Sequence, residues 1–203
     1  MHDEQHSDIA IIGAGFSGLG TAIRLKQEGI EDFVVLERGD DVGGTWHYNT
    51  YPGCGCDVPS HLYSFSFAPN PTWTRTYSRQ PEIRDYLRRC ADDFGVRPHV
   101  RLACEVSSAS WDERSGRWRI ETSSGPVTAR VLVAGTGPLT EPKTPDLPGI
   151  ATFARRSTRA PPSRASRSRG PCRPRASATR PAPSPGRRSA RRYATSPQPV
   201  GEP

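Results

Sequence analysis

Two apolar rhythms alternate along the chain as far as Gly137. Ile9 to Ile12 is a short β-branched run, followed by the glycine cluster GAGFSG and by LGTAIRLKQEG, where Leu19, Ala22, Ile23 and Leu25 share one face. That pattern predicts strand, turn and helix, with Gly29 as the stop. DFVVLE, residues 32–37, predicts a second buried strand and closes a βαβ unit of roughly the usual ~30 residues. A second helix is predicted over residues 80–95: Pro81 suits the first turn, Ile83, Tyr86, Leu87, Cys90, Ala91 and Phe94 form the apolar face, and Gly95 ends it. From Val100 to Val133 the period falls to two. Val100, Leu102, Cys104 and Val106 alternate with polar neighbours. A turn over 113–116, the strand WRIET, a turn over 123–126 and ARVLVAGTG, read as a buried strand ending in glycines, complete a β-meander. The order predicts an α/β domain with a meander inserted, RVLVA being the next parallel member of the sheet.

Residues 42–71 break both rhythms. They are rich in Gly, Pro and aromatics, and a loop of that length with that composition is read as functional rather than as a linker.

The glycines at 13, 15 and 18 spell G-x-G-x-x-G between a predicted strand and helix, with Glu37 closing the next strand. Gly13 permits the tight turn, Gly15 lets backbone amides approach a pyrophosphate, and Gly18 allows close helix packing. The helix N-terminus adds free N–H groups and a positive dipole end, and Glu37 can accept from ribose hydroxyls. The fold class is therefore α/β and Rossmann-like, with a dinucleotide as ligand. The loop alone does not choose between FAD and a nicotinamide nucleotide.

Charge divides the chain. Residues 155–203 hold 13 Arg, no Lys and one acid, a net +12, so residues 1–154 carry −5 of the total +7. A basic balance suggests nucleic acid or an anionic membrane surface, but here it belongs to the tail alone. No aromatic interleaving or folded reader motif accompanies it, so no specific nucleic-acid partner is expected. The start MHDEQHSD has no apolar signal core and no run spans a bilayer. A cytoplasmic protein without membrane contact is expected. Cys54 and Cys56 flank one glycine, which leaves a metal or redox role beside the plainer reading of small thiols in a reducing compartment; no zinc-type spacing is present and no metal is expected.

ERGDDVGGTWHYNTYPGCGCDVPSHLYSFSF, residues 37–67, followed by NPTWTRTYSRQPEI and GTGPLTEPKTPDLPGI, resembles the N-terminal FAD-binding region of Baeyer–Villiger monooxygenases, within the class B flavin monooxygenases. The resemblance covers residues 7–153. It implies FAD in this nucleotide fold and NADPH in a second one. It also implies oxygen insertion into a ketone with O₂ by way of a C4a-peroxyflavin, the flavin supplying the chemistry and the protein orientation and dryness. By position it implies that Gly13, Gly15, Phe16 and Gly18 hold the pyrophosphate side and Glu37 the ribose. Gly44, Thr45 and Trp46 would lie beside the isoalloxazine, Val106 at the adenine end, and Asp57 and Tyr63 near the flavin ring. Asp57 is the candidate catalytic residue, setting the state of an active-site Arg; the alternative is a loop Asp bonding its own backbone. His47 and His61 flank the same loop and raise a general-base alternative. Tyr48, Tyr51, Phe65 and Phe67 are read as packing.

The resemblance stops at one point. Phe153 opens the family fingerprint, but its glycine, histidine and aromatic places hold Arg155, Arg159 and Ser163. Of the 49 residues 155–203, 44 are Arg, Pro, Ser, Ala, Gly or Thr, too few apolar side chains to offset chain entropy. Arg without Lys in that mixture is what a GC-rich gene gives when read out of frame. The expected organisation is a partial FAD-binding domain over 1–154 and a disordered, frameshifted tail over 155–203. Without the NADPH-binding domain the chain is expected not to turn over alone. A monooxygenase acting on nitrogen or sulfur, and a nucleotide-binding domain with a basic nucleic-acid-binding arm, are the alternatives.

Overall fold

The computed structural model describes residues 5–139 and 146–149. The expected tail, 155–203, lies outside the described residues, which all belong to one unit, Met1–Ala165.

The sheet begins with β1 (Gln5–Ile12), whose alternation brings Ala10 and Ile11 to full burial on opposite faces. Helix α1 (Phe16–Gln27) follows the glycine turn and buries Leu19, Ala22 and Ile23; β2 (Phe33–Leu36) is buried throughout and pairs parallel with β1. After the long loop, α3 (Gln80–Asp93) lays Ile83, Tyr86, Leu87, Cys90 and Ala91 against α1 and the sheet. The short α2 (Thr45–Tyr48) lies inside the loop. Then come β3 (Val100–Arg101), β4 (Val106–Asp112), β5 (Arg117–Thr122) and β6 (Val127–Ala134). The order across the six-stranded sheet is β3-β2-β1-β6-β5-β4. The first four run parallel, and β5 and β4 continue antiparallel from β6. The predicted α/β class, the meander and the parallel return strand are all present.

Each face of the sheet has its own core. α1, α3 and the loop cover Ile9, Ile11, Phe33 and Val35. On the other face Ile120, Val127, Cys104 and Ala129 pack on Ala10, Val34 and Leu36. Among the described residues no helix is long and apolar enough to cross a membrane.

Three local expectations are corrected. Val100 to Val106 is not one strand: β3 leaves the sheet after Arg101, Ala103 adopts φ +53°, and β4 starts at Val106. The chain hooks onto the backbone after β2, with the Ala103 N–H donating to the Gly39 carbonyl (2.7 Å) and the Cys104 N–H to the Glu37 carbonyl (2.8 Å). Strand β6 is buried at Val127 and Ala129, but Val131 is 49% exposed, because α1 packs over β1 and β2. The loop is not wholly irregular either, since it contains α2 and the 3-10 turn Ser60–Leu62. Its aromatics fix it: Phe65 stacks on Phe67 at 5.0 Å, Phe16 lies 5.2 Å from Phe65, and the Tyr86 hydroxyl takes the Phe65 N–H and donates to the Ala68 carbonyl. The packing roles read for Phe65 and Phe67 hold.

Candidate dinucleotide site

The cleft forms where three chain reversals meet at the C-terminal ends of the parallel strands. Gly13 turns the chain out of β1 at φ +93°, its N–H donating to the Leu36 carbonyl at 2.8 Å. A Cβ on Gly18 would stand 1.8 Å from the Gly13 carbonyl oxygen, and one on Gly13 would stand 2.8 Å from that of Gly135, which follows β6. The two turns therefore interlock backbone to backbone. The third reversal brings Gly44 against Gly15, where a Cβ on Gly44 would meet the Gly15 Cα at 2.8 Å. The Gly43 N–H holds that contact by donating to the Ala14 carbonyl at 2.9 Å.

The resulting cleft has a volume of about 660 Å³, within the range of small-molecule sites. It runs from the N-terminus of α1 to the β4 edge. Of the predicted residues, Gly13, Gly15, Phe16, Glu37, Gly44, Thr45, Trp46, Tyr63 and Val106 line it. Gly18 lies beneath the loop and serves its packing. Asp57 is not on this wall: it is exposed on a neighbouring depression with Arg75, Tyr77 and Arg79. The Tyr63 phenol is raised above its ordinary value chiefly by burial, opposed by the Trp46 hydrogen bond and reinforced by Cys56 and Asp57.

On the cleft wall, the Trp46 indole N–H donates to the Tyr63 hydroxyl at 3.1 Å, with the rings edge-to-face at 5.6 Å. Phe16 meets Tyr63 edge-on at 5.0 Å, and buried Gln80 donates through its side-chain amide to the Trp46 carbonyl. Glu37, 3% exposed, lines the same cleft. Its Oε2 accepts the Ala14 N–H at 2.7 Å; its Oε1 accepts the Gly39 N–H at 2.8 Å and the Tyr48 hydroxyl at 2.7 Å. Burial, and then the Glu37 carboxylate, hold the Tyr48 phenol well above its ordinary value. Tyr48 is thus more than packing, which corrects the expectation. Asp41 anchors the loop from behind, with Arg88 and Arg97 each at 2.6 Å.

Several lining residues were not foreseen, among them Arg38, Tyr48, Cys104 and the 135–139 turn. The last had a signal in the glycines after β6, while the others act through contacts that no spacing reveals. Neither His47, paired with Asp40 at 2.8 Å, nor exposed His61 lines the cleft. Cys54 and Cys56 are free thiols, with Cys54 buried in the core.

The residues fit a dinucleotide. With no side chains between them, Gly15 and Gly44 bring their two turns together on one cleft wall, and the α1 N-terminus there offers backbone donors to a pyrophosphate. Glu37 has three of its roughly four acceptor positions filled, which leaves one for a ribose hydroxyl.

Residues 10–166 match the family model described as pyridine nucleotide-disulphide oxidoreductase. A Baeyer-Villiger monooxygenase of Streptomyces coelicolor is 61% identical over 149 residues, covering 73% of this chain and 29% of the relative. One from Pseudomonas aeruginosa is 49% identical over 150 residues, covering 73% and 28%. Among solved structures, cyclohexanone monooxygenase from Rhodococcus sp. Phi1 bound to NADP⁺ superposes with a TM-score of 0.68 at 39% identity, covering 74% of this chain and 29% of that one. The chain spans under a third of the length of these relatives.

Proposed function

The chain belongs to the pyridine nucleotide-disulphide oxidoreductase family, and from that premise we propose that residues 1–154 are the FAD-binding part of a flavin- and NADPH-dependent Baeyer–Villiger monooxygenase. The observation that carries the reading is the single cleft in which nine predicted residues meet, among them Glu37, Val106, Trp46 and Tyr63. The identity to Baeyer-Villiger monooxygenases across the same stretch supports it.

Bound FAD would supply the redox and oxygen chemistry. The α1 N-terminus and Gly13, Gly15 and Gly44 would hold its pyrophosphate, Glu37 its adenosine ribose, and Val106 the adenine side. Trp46 and Tyr63, locked together by their hydrogen bond, would wall the ring end and exclude water. Asp57, exposed beside that wall, would bias the charge of an arginine outside the cleft rather than touch the ring. The substrates would be a ketone and O₂, with NADPH as reductant. The names of the similar proteins favour oxygen insertion at carbon over nitrogen or sulfur. The free thiols of Cys54, Cys56, Cys90 and Cys104 support a reducing, cytoplasmic setting.

For residues 155–203 the reading is a frameshifted segment, supported by the simultaneous change of composition and loss of the fingerprint after Phe153. The nucleotide sequence across that junction tests it. A shifted frame encoding the missing histidine and a second glycine loop is expected, and its absence sinks the idea.

The function is tested by replacing the matching segment of the Streptomyces coelicolor relative with residues 1–149. The chimera should bind FAD stoichiometrically, consume NADPH and O₂, and convert a cyclic ketone to its lactone. A folded chimera that holds no flavin would overturn the FAD reading. One that holds flavin but never yields lactone would overturn the Baeyer–Villiger assignment.

A further inference from the structure

Glu37 is held from three sides before any ligand arrives, and one of the three donors is a side chain from the distant loop. The Tyr48 hydroxyl donates to Oε1 at 2.7 Å alongside the Gly39 N–H, while the Ala14 N–H takes Oε2. We propose that Tyr48 is a positioning residue for the adenosine half of the cofactor: its phenol fixes the Glu37 carboxylate so that the one remaining acceptor position faces a ribose hydroxyl. The inference rests on the reading of the cleft as an FAD site and goes beyond it, since it names what orients the ribose acid.

Two further observations support the role. A Cβ on Gly39 would lie 2.6 Å from the Tyr48 hydroxyl and 3.1 Å from Glu37 Oε1, and Gly39 does not adopt the left-handed backbone that glycine alone favours. The glycine is there for space, and what occupies the space is this hydrogen bond. The Arg38 guanidinium lies 5.4 Å from the centre of the Tyr48 ring, a cation–π contact that restrains the ring from swinging away. Tyr48 also shares its single helical turn with Trp46. Trp46 faces Tyr63 and Tyr48 faces Glu37, so one rigid turn ties the ring end of the cleft to the ribose end.

The test is a titration of the purified chain with FAD and, separately, with FMN, which has no adenosine, read by flavin fluorescence and accompanied by thermal unfolding. Tyr48→Phe removes the donor, and Gly39→Ala displaces it without altering Tyr48. Both variants should weaken FAD about tenfold, the worth of one hydrogen bond to a charged group, and leave FMN binding unchanged. Equal weakening of FAD and FMN would make Tyr48 a merely structural residue and overturn the inference. FAD affinity equal to the parent's in both variants would also overturn it, while leaving the FAD reading intact. A folded parent that binds no FAD would overturn both together.

Discussion

The carbonyl oxygen of Gly13 occupies the place where a side chain on Gly18 would begin, 1.8 Å from its Cβ position. The obstructing oxygen is backbone and the Cβ position is fixed by the backbone, so no rotamer change relieves an added methyl. Gly18→Ala must push α1 off the glycine turn, and with it the contact to Gly135. The expected cost is about 3 kcal/mol, the upper end for overpacking, read as a shifted urea midpoint. A variant within about 0.5 kcal/mol of the parent, the range of neutral surface changes, would contradict the interlocked turns.

Gly44 is constrained twice. Its backbone stands at φ +52°, ψ −126°, a region that residues with a Cβ rarely occupy, and its Cβ would meet the Gly15 Cα at 2.8 Å. Gly44→Ala should therefore separate the two loops at the proposed pyrophosphate position and abolish FAD binding. Gly116 provides the control: its φ is +63°, but nothing lies within 4 Å of an added Cβ. Gly116→Ala should cost about 1 kcal/mol of strain and leave flavin titrations unchanged. Equal flavin affinity in both variants would show that the Gly15–Gly44 contact does not shape the site.

Much of this was legible in the sequence, for reasons that differ by residue. Gly13, Gly15, Gly18 and Glu37 could be read from spacing, because a strand, a tight turn and a helix force that order wherever a dinucleotide sits on a helix end. Thr45, Trp46, Tyr63 and Val106 came only through the resemblance, since their common wall joins segments far apart in the chain. Tyr48 reads as packing in the sequence because its job is one hydrogen bond to Glu37, made possible by the room at Gly39. The run from Val100 to Val106 misled because Cys104 is buried after the hook just as it would be in a strand. Val131 misled because apolar character does not say how far the helices reach. Asp57 matched by position, yet the fold puts it beside the cleft wall.

Asp41 predicts the acid limb of stability. Its carboxylate accepts from Arg88, Arg97 and the Val42 N–H, and these outweigh its partial burial, so its folded pKa is lowered. A lowered carboxylate contributes stability that is present above its unfolded pKa, about 4, and lost as pH falls through the folded value. Asp41→Asn should cost about 1–2 kcal/mol near neutral pH, allowing for the solvent that reaches the pair. That deficit should shrink below about pH 4. Urea midpoints measured across that range decide it: a deficit constant with pH would remove Asp41 from the acid limb. Because Val42 and Gly43 follow directly, the same substitution should also weaken FAD.

Tyr63 predicts the alkaline limb, with the opposite sign. Burial raises its folded pKa, so the fold favours the neutral phenol; the unfolded chain loses its proton first, near pH 10. The contribution is therefore complete below about pH 10 and lost as pH climbs toward the folded value. Tyr63→Phe removes the titrating group and also leaves the Trp46 indole N–H without its acceptor, at a cost of about 1 kcal/mol. Near pH 8, well below the ordinary phenol range, the variant should be the less stable by that amount. Its stability should then fall less steeply above about pH 10, so the two curves converge. Parallel curves through the alkaline range would mean that Tyr63 ionises as freely in the fold as out of it, and that the wall it forms with Trp46 is wetter than its burial implies.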